Sequence, residues 1–318
     1  MHNVDNKLKL SYSPLTLYEF EAFKTDEDIE RFLESTSIYV IAKRKLPIMK
    51  LVDADSSGFH IIVSMDGEKD KIDIVMRKKD NSGLFGKGLS AIRKGSNIVN
   101  AENGEECFHS ISLFRNNNGL DEFILNANFD RLIYLASNDL IKISIKGDLI
   151  PFISYEVLYV GQCVGEHIFR RFKAHHALQK ILIKENIIPP NYDKVNDLLI
   201  LPFYVESDVV SVITEESNEE EFIEAMTGEF TFGKKEISLD CEKALVRAIN
   251  PKYNKACFKQ YPKSSDGLFN HRLDSYIYRV LENLMLCYEP NNKIYGDVKG
   301  KNASIISITD DKNFNIYY

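Results

Sequence analysis

The sequence predicts an α+β protein with more than one domain. Its 318 residues favour two domains over one, and a 44% hydrophobic content is typical of a globular protein with a buried core. Short β-branched runs, which indicate strands, lie among segments whose apolar residues recur at helical spacing. This mixture of the two periodicities is the basis of the α+β prediction.

Residues 1–125 are predicted to form an N-terminal α+β domain. Thr25 is a candidate helix cap, because acidic residues fill the turn that follows it. An Asn-Asn-Asn-Gly turn marks the expected domain boundary. Strands are predicted in three apolar runs, at residues 37–42, 59–65 and 71–76.

Residues 126–260 are predicted to form a small α/β domain with three strands and two helices. Within it, residues 205–236 are an acidic insertion that we interpret as a solvated surface. The predicted strands are residues 140–145, 155–161 and 197–205, and the predicted helices are residues 168–185 and 238–249.

Residues 261–318 are predicted to be a C-terminal extension. Residues 272–286 read as an amphipathic helix, and the runs at residues 305–308 and 314–317 read as the strands of a hairpin.

Composition argues against several classes of protein. The net charge of −7 argues against a protein that coats nucleic acid through bulk charge, but it allows a local basic cleft. No apolar run reaches the roughly 20 residues that span a bilayer, so no membrane is expected as a partner. The N-terminus has no signal-peptide core, and five scattered cysteines contain no Cys-x-x-Cys pair. These features predict a cytoplasmic protein without a zinc site or a disulfide framework.

Two motifs with chemical potential lie between residues 159 and 175. Tyr159 ends an apolar strand just before Gly161, and a glycine there lets a ligand approach the backbone closely. Arg171 and His175 are four residues apart, which places both on one face of the predicted helix. A guanidinium can clamp phosphate oxygens, and an imidazole can hydrogen-bond a phosphate or move a proton.

Glu242 is the third element, near the start of the helix predicted at residues 238–249. Phosphodiester hydrolysis needs an aligned water and groups that stabilise charge on the phosphate. Mg²⁺ is held by one or two carboxylates plus waters and substrate phosphate, so one glutamate can suffice. Taken singly, these residues also fit plainer interpretations: a core tyrosine, an exposed basic helix face, and a carboxylate near a helix N-terminus.

Together the residues resemble the GIY-YIG nuclease superfamily, over roughly residues 130–256. The resemblance implies a small three-stranded α/β catalytic domain. The matching segments are residues 157–162 (VLYVGQ) for the second half-motif, Arg171 and His175 for the Arg-xxx-His pattern, and Glu242, Pro251 and Asn254 for the last signature.

The resemblance also implies a role for each residue. Tyr159 would orient or deprotonate the attacking water. Arg171 would hold the scissile phosphate, and His175 would assist the phosphate or the proton transfer. Glu242 would be the main protein ligand of one divalent ion, Mg²⁺ or Mn²⁺.

The first half-motif of the family, Gly-Ile-Tyr, is missing from its usual place about a dozen residues before Tyr159. Residues 147–151 stand there and contain no tyrosine. Tyr134 would serve if the hairpin is lengthened, and Tyr155 is the alternative, because two-residue alternation puts it on the same strand face as Tyr159. We favour Tyr134.

DNA is the expected partner. Asn254 would brace the site from below and is grouped with Arg170 and Lys173 as candidate substrate contacts. The basic clusters at residues 43–45 and 77–79 are further candidates for phosphate binding. A partner protein and a second copy of the chain are other expected partners.

The leading hypothesis is therefore a metal-dependent DNA endonuclease whose N-terminal domain recognises the target or a partner. Restriction or anti-phage defence is the biological role suggested by analogy. The alternative is a non-catalytic nucleic-acid-binding or complex-forming subunit that uses a degenerate GIY-YIG fold. A second tyrosine hydroxyl near Glu242 would distinguish the two.

Overall fold

A computed structural model shows that the chain forms two compact units. Unit 1 comprises Met1–Lys43, Tyr155–Asn186 and Leu198–Tyr318, and unit 2 comprises Arg44–Ser154 and Ile187–Asp197. The residues that the structure describes are 2–65, 70–85, 89–95, 98–99, 106–117, 120–185, 196–211, 219, 223, 232–271, 273–289 and 291–318.

The elements confirm a mixed α+β architecture. The strands are β1 (His2–Leu10), β2 (Leu15–Thr16), β3 (Ile38–Lys45), β4 (Ile48–Asp55), β5 (Gly58–Met65), β6 (Asp70–Arg77), β7 (Leu89–Gly95), β8 (Ile98–Val99), β9 (Glu106–Cys107), β10 (Ser110–Asn117), β11 (Leu120–Asn128), β12 (Ile143–Lys146), β13 (Ser154–Gln162), β14 (Asn196–Ser211), β15 (Ser275–Val280), β16 (Met285–Tyr288), β17 (Asn292–Tyr295), β18 (Ile305–Ile308) and β19 (Phe314–Tyr317). The helices are α1 (Leu17–Ala22), α2 (Glu27–Leu33), α3 (Ser82–Phe85), α4 (Phe129–Ser137), α5 (Ile168–Arg171), α6 (His176–Lys184) and α7 (Lys234–Ile249). Among these described elements, no helix combines the length and the apolar character needed to cross a bilayer.

Unit 1 is built on a mixed ten-stranded sheet. Its strand order is β17-β16-β13-β3-β14-β1-β15-β18-β19, and β2 pairs with β14. β1 runs parallel to β15 and antiparallel to β14. The interior strand β3 is deeply buried, since residues 38–42 are each 0% exposed. A strand buried on both faces is expected to be continuously apolar, as the run Ile-Tyr-Val-Ile-Ala is.

Unit 2 has its own hydrophobic core. A four-stranded sheet, β12-β6-β5-β4, and a three-stranded sheet, β11-β10-β7, contribute to it together with α4. Asn128 caps α4 by accepting a hydrogen bond from the Arg131 backbone N–H at 2.8 Å. The buried residues of α4 include Phe129, Leu132 and Ile133, which fits one apolar helix face turned to the core.

A buried ion pair stabilises unit 2. The Arg44 guanidinium donates to both carboxylate oxygens of Asp130, at 2.8 and 2.6 Å, and also to the Phe152 carbonyl at 2.6 Å. The two charged side chains are 2% and 3% exposed. The pair therefore ties the first residue of unit 2 to α4 and to the segment that leads back into β13.

The units do not follow the domain boundaries expected at residues 125 and 260. Residues 1–43 belong to the same unit as most of the second half, because β3 pairs with β13 inside one sheet. Residues 46–153, which lie between these two strands, belong to the other unit. The sequence offered no composition change at residue 44 to mark this boundary.

Several predicted elements are confirmed, and others are corrected. The strands expected at residues 37–42, 59–65 and 71–76 are present as β3, β5 and β6. The strand predicted to end at residue 205 continues to Ser211, and most of the acidic insertion lies outside the described residues. Asp26, not Thr25, caps α2 by accepting hydrogen bonds from two backbone N–H groups.

The helix predicted at residues 272–286 is wrong. The segment contains strands β15 and β16, and β15 alternates between half-buried and buried residues. Tyr276, Tyr278 and Val280 share the buried face, and β1 pairs with the strand along its length. Strand pairing therefore overrode the helical spacing that the apolar residues also satisfy. The hairpin that follows is confirmed, with β18 antiparallel to β19.

The Arg44–Asp130 pair gives the first testable prediction. Asp130→Ala leaves the Arg44 charge buried without its carboxylate, so we expect a loss of about 3–5 kcal/mol in the free energy of unfolding, measured with urea. Glu122→Ala, which breaks the exposed pair with Arg115, is the control and should barely move the unfolding midpoint. Similar shifts in the two variants would contradict a buried-pair effect.

Candidate active site

The pairing of β3 with β13 brings two tyrosines together within the unit 1 sheet. The strands are antiparallel, and Tyr39 on β3 lies opposite Gly161 on β13. The rings of Tyr39 and Tyr159 stack, with 6.1 Å between centroids and 25° between planes. Tyr39 is fully buried. The segment Ser37-Ile38-Tyr39 therefore supplies the second tyrosine of this site.

Gly161 is required because the Tyr39 ring lies directly over it. A Cβ atom at position 161 would meet Tyr39 Oη at 2.5 Å and Tyr39 Cζ at 2.6 Å. A side chain here would push the ring away from Tyr159 and its neighbours. The sequence indicated a close approach at this glycine, and in the structure the approaching group is a protein side chain.

Neither tyrosine considered for the first half-motif takes this place. The lengthened hairpin that would have carried Tyr134 is not formed, because the residue lies on helix α4 of unit 2, where the Asn128 cap and the apolar face favour a helix. Tyr155 lies on β13, but a register shift between Val157 and Tyr159 interrupts the simple alternation that would align the two tyrosines. Tyr39 is the tyrosine that the structure pairs with Tyr159.

His175 lies at a break between two helices. The continuous helix predicted over residues 168–185 is wrong: α5 ends at Arg171, a 3-10 turn follows, and α6 begins at His176. His175 has extended backbone angles and caps α6, since its Nδ1 accepts a hydrogen bond from the Leu178 backbone N–H at 2.9 Å. The shared helical face expected for Arg171 and His175 is therefore replaced by a turn.

The cap on α6 fixes the direction of the hydrogen bond between His175 and Tyr39. A backbone N–H can only donate, so Nδ1 carries no proton and the neutral imidazole holds its proton on Nε2. Nε2 lies 2.7 Å from Tyr39 Oη and must donate to it. Burial, reinforced by the nearby Arg171 charge, lowers the pKa of His175 to about 4. His175 is thus a neutral donor to the tyrosine, not an acceptor of its proton.

Arg171 acts on the other ionisable groups of the cluster. Burial raises the pKa of Tyr39, Tyr159 and Glu242, and the Arg171 charge opposes each of these rises. Both phenols are neutral at physiological pH, since an ordinary phenol pKa is near 10 and burial raises the pKa further. Arg171 therefore belongs to the electrostatic environment of all three groups.

The two neighbouring cations, Arg170 and Lys173, have exposed side chains. Within the described part of the chain, neither forms an ion pair. They remain accessible to an anionic substrate, as their assignment as substrate contacts requires.

Glu242 brings a carboxylate to the same cluster. It lies on α7, whose start is capped by a hydrogen bond from the Gly233 backbone N–H to Glu236 at 3.0 Å. Burial raises the pKa of Glu242 to about 7, and its charge raises the pKa of Tyr159 and Tyr39 in turn. Among described residues, no side chain or backbone group donates a hydrogen bond to this carboxylate. A half-buried carboxylate without a donor fits a site for a cation.

Few other side chains of the described residues could join Glu242 as ligands of a metal ion. Across the described ranges, no group of three or more His, Cys, Asp or Glu side chains is arranged to hold a metal ion. A hard cation at Glu242 would take the rest of its coordination from waters and substrate oxygens, as Mg²⁺ commonly does.

Asn254 supports the strand that carries Tyr159. Its Oδ1 accepts from the Val160 N–H at 3.0 Å, and its Nδ2 donates to the Val160 carbonyl at 2.7 Å. Both ends of the amide are therefore used by backbone. This geometry fits the bracing role, and it leaves the amide committed to Val160 rather than to substrate.

A buried carboxylate joins three elements of the site. Glu185 follows α6 and accepts from Lys43 Nζ at 2.6 Å, Lys252 Nζ at 2.7 Å and Tyr253 Oη at 2.5 Å. Burial alone would raise the pKa of Glu185, but these hydrogen bonds overcome it and lower the pKa to about 2. The ends of β3 and α6 and the turn after α7 are thus held at one ionised group.

A scan against protein-family models, a search of curated proteins and a search of solved structures each find no match to this chain.

The sequence contained a signal for Tyr39. Residues 37–42 were predicted to be a strand, and Ser37-Ile38-Tyr39 differs from Gly-Ile-Tyr only in its first residue. A search restricted to the residues just before Tyr159 passes over it, because residues 46–153 lie between the two strands. Comparing every predicted strand with the half-motif would have found it.

His175 gives the second prediction, which nuclear magnetic resonance can test. The imidazole should carry its proton on Nε2 and titrate near pH 4 rather than near the ordinary 6.5. Because the folded-state pKa lies below the unfolded value, this group's contribution to stability should decline as pH falls from about 6.5 towards 4. A proton on Nδ1, or titration near pH 6.5, would contradict the cap.

Proposed function

We propose that unit 1 is a metal-dependent endonuclease that hydrolyses phosphodiester bonds in DNA, in the manner of GIY-YIG nucleases. The observation that carries the proposal is the antiparallel pairing that stacks Tyr39 on Tyr159. The resemblance had lacked its first tyrosine, and Ser37-Ile38-Tyr39 stands on the neighbouring strand. The same cluster contains Arg171, His175 and Glu242.

The two tyrosines would act on the attacking water. Their hydroxyls can orient the water as its oxygen bonds to phosphorus and the bond to the leaving oxygen breaks, while the proton that the water loses passes through the phenols and solvent to the leaving oxygen. Negative charge that develops on Tyr39 Oη as a proton moves would be stabilised by the Nε2–H of His175 and by Arg171. His175 therefore supports the phenol through a hydrogen bond, without acting as a base.

Arg171 would bind the scissile phosphate. A guanidinium presents paired N–H donors that match two phosphate oxygens, and its charge balances the charge that grows in the transition state. Its exposed side chain and its electrostatic interaction with Tyr39 and Glu242 support this role.

Glu242 would hold one Mg²⁺ or Mn²⁺ ion. When bound, such an ion polarises a phosphate oxygen and stabilises the leaving oxygen. The support is the half-buried carboxylate that lacks a hydrogen-bond donor in the described protein.

The alternative function, a non-catalytic nucleic-acid-binding or complex-forming subunit, depended on the loss of the first tyrosine. The position of Tyr39 beside Tyr159 supports the catalytic proposal over this alternative.

Cleavage of supercoiled plasmid with Mg²⁺ or Mn²⁺ tests the proposal. We expect the wild-type protein to nick or linearise the plasmid, and we expect Glu242→Gln or EDTA to abolish cleavage while DNA binding is retained. Glu34→Gln changes an exposed glutamate on unit 1 and serves as the charge-matched control, with unchanged cleavage expected. Cleavage by Glu242→Gln at the wild-type rate would remove Glu242 from the metal site.

A second comparison identifies the tyrosine that takes part. Tyr39→Phe deletes the hydroxyl that accepts from His175, so we expect the cleavage rate to fall by about 100-fold or more. The buried Nε2–H of His175 loses its acceptor, so we also expect a loss of about 1–3 kcal/mol in the free energy of unfolding. Tyr134→Phe removes the same group from α4 and should leave the rate nearly unchanged. If Tyr134→Phe were the slower enzyme, the assignment of Tyr39 would be wrong.

A further inference from the structure

Unit 2 contains a cavity that the nuclease chemistry leaves unexplained. Its volume is about 530 Å³, within the range of roughly 300–1,000 Å³ typical of small-ligand sites. The ends of β4 and β6, the start of β5 and the turn that follows β6 form its walls. All of these elements belong to unit 2, whereas the candidate active site belongs to unit 1.

The floor of the cavity is a glycine. Gly58 on β5 lies opposite Arg77 on β6 and opposite Asp55 on β4, so the three share one face of the sheet. A Cβ atom at Gly58 would lie 2.0 Å from the Met76 carbonyl oxygen, which no other residue can accommodate without shifting the strand. The glycine therefore lets the β5 and β6 backbones approach closely, with the Arg77 cation on one side of it and the Asp55 carboxylate on the other.

One wall of the cavity is cationic. Arg77, Lys78 and Lys79 line it in succession. Arg77 and Lys79 are exposed, and neither pairs with a carboxylate in the described part of the chain. A guanidinium and an ammonium on one side of a depression are the groups that bind phosphate in proteins.

The other basic cluster of the sequence differs in this respect. Lys43 pairs with Glu185 and Glu156, and Arg44 is buried against Asp130. Those charges are used to hold the fold. The cations at residues 77 and 79 instead face a cavity, so only this second cluster keeps the phosphate-binding potential that the sequence indicated.

The opposite wall carries hydrogen-bond acceptors. Asp55 accepts from the Ser57 N–H at 2.7 Å and from the Ser57 hydroxyl at 2.6 Å, which fixes its position. Asp53 lines the same side, and His60 between the walls is held by Asp73 at 2.8 Å. A ligand that fits carries a phosphate at one end and hydrogen-bond donors, such as the amino groups of a base, at the other.

We propose that this cavity binds one phosphate-bearing nucleotide unit of the DNA substrate. The phosphate lies at Arg77 and Lys79, and the sugar and base lie over Gly58 towards Asp53. The proposal rests on the nuclease function proposed above, and it makes unit 2 a substrate-binding unit.

DNA binding measured by fluorescence anisotropy tests the proposal, in the Glu242→Gln background so that the duplex stays intact. The double variant Arg77→Ala/Lys79→Ala should bind the duplex about tenfold more weakly. The slope of log affinity against log salt should fall by about 1.8, roughly 0.9 for each lost phosphate contact.

Lys142→Ala/Lys146→Ala is the matched control, because it removes two exposed cations of unit 2 outside the cavity. We expect its affinity to stay within about twofold of the parent. If both double variants lost DNA affinity equally, the loss would follow from the change in net charge, and the cavity site would be overturned.

The remaining outcomes separate the two proposals. Normal DNA affinity of Arg77→Ala/Lys79→Ala, beside a wild-type protein that cleaves, would overturn the cavity site and leave the nuclease standing. A wild-type protein that neither binds nor cleaves DNA would overturn both. Calorimetric titration with thymidine 5′-monophosphate tests whether the ligand of the cavity is a free nucleotide. Tight binding of this nucleotide that is lost in Arg77→Ala/Lys79→Ala, while the DNA affinity of that variant is unchanged, would overturn the assignment to DNA.

Discussion

The pairing of β3 with β13 is the constraint on which the candidate site depends. It sets Tyr39 opposite Gly161, and only a glycine there leaves room for the ring. The ring then stacks on Tyr159 and meets the imidazole of His175. A one-residue slip of register would turn Tyr39 to the other face of the sheet. The buried apolar run of β3 sets the register, and it therefore also sets the position of the Tyr39 ring.

Burial sets the electrostatic character of the site. It holds His175 neutral and keeps the carboxylate of Glu242 partly protonated near neutral pH, while the Arg171 charge works against the latter. Glu185, by contrast, is ionised because three donors surround it. The Glu185 carboxylate is therefore committed to structure, whereas the half-buried Glu242 carboxylate has no hydrogen-bond donor among the described residues. Such a carboxylate is where a bound cation contributes most.

The sequence predicted individual elements better than their assembly. Strands β3, β5 and β6 and the residues around Tyr159 and Glu242 followed from local patterns, because a buried strand or helix face leaves its period in the sequence. The partner of Tyr159 did not follow, since the pairing spans an inserted unit and no local pattern encodes long-range contacts. The break before His175 was missed because a histidine cap competes with a helix that the apolar spacing also allows. At residues 272–286 the apolar spacing alone favoured a helix, but the pairing of β15 with β1 makes that part of the segment a strand.

The insertion between β3 and β13 also bears on how such a chain can change over time. Lys43 and Glu156 are cross-strand neighbours, so the inserted segment leaves and rejoins the sheet at points only about 5 Å apart. Because the pairing of β3 with β13 already holds the two ends of the inserted segment together, closing the segment costs little further entropy. This applies equally to a short turn and to a whole folded unit. Residues 46–153 thus occupy a position where one folded unit can be exchanged for another, while the strands that carry Tyr39 and Tyr159 keep their register.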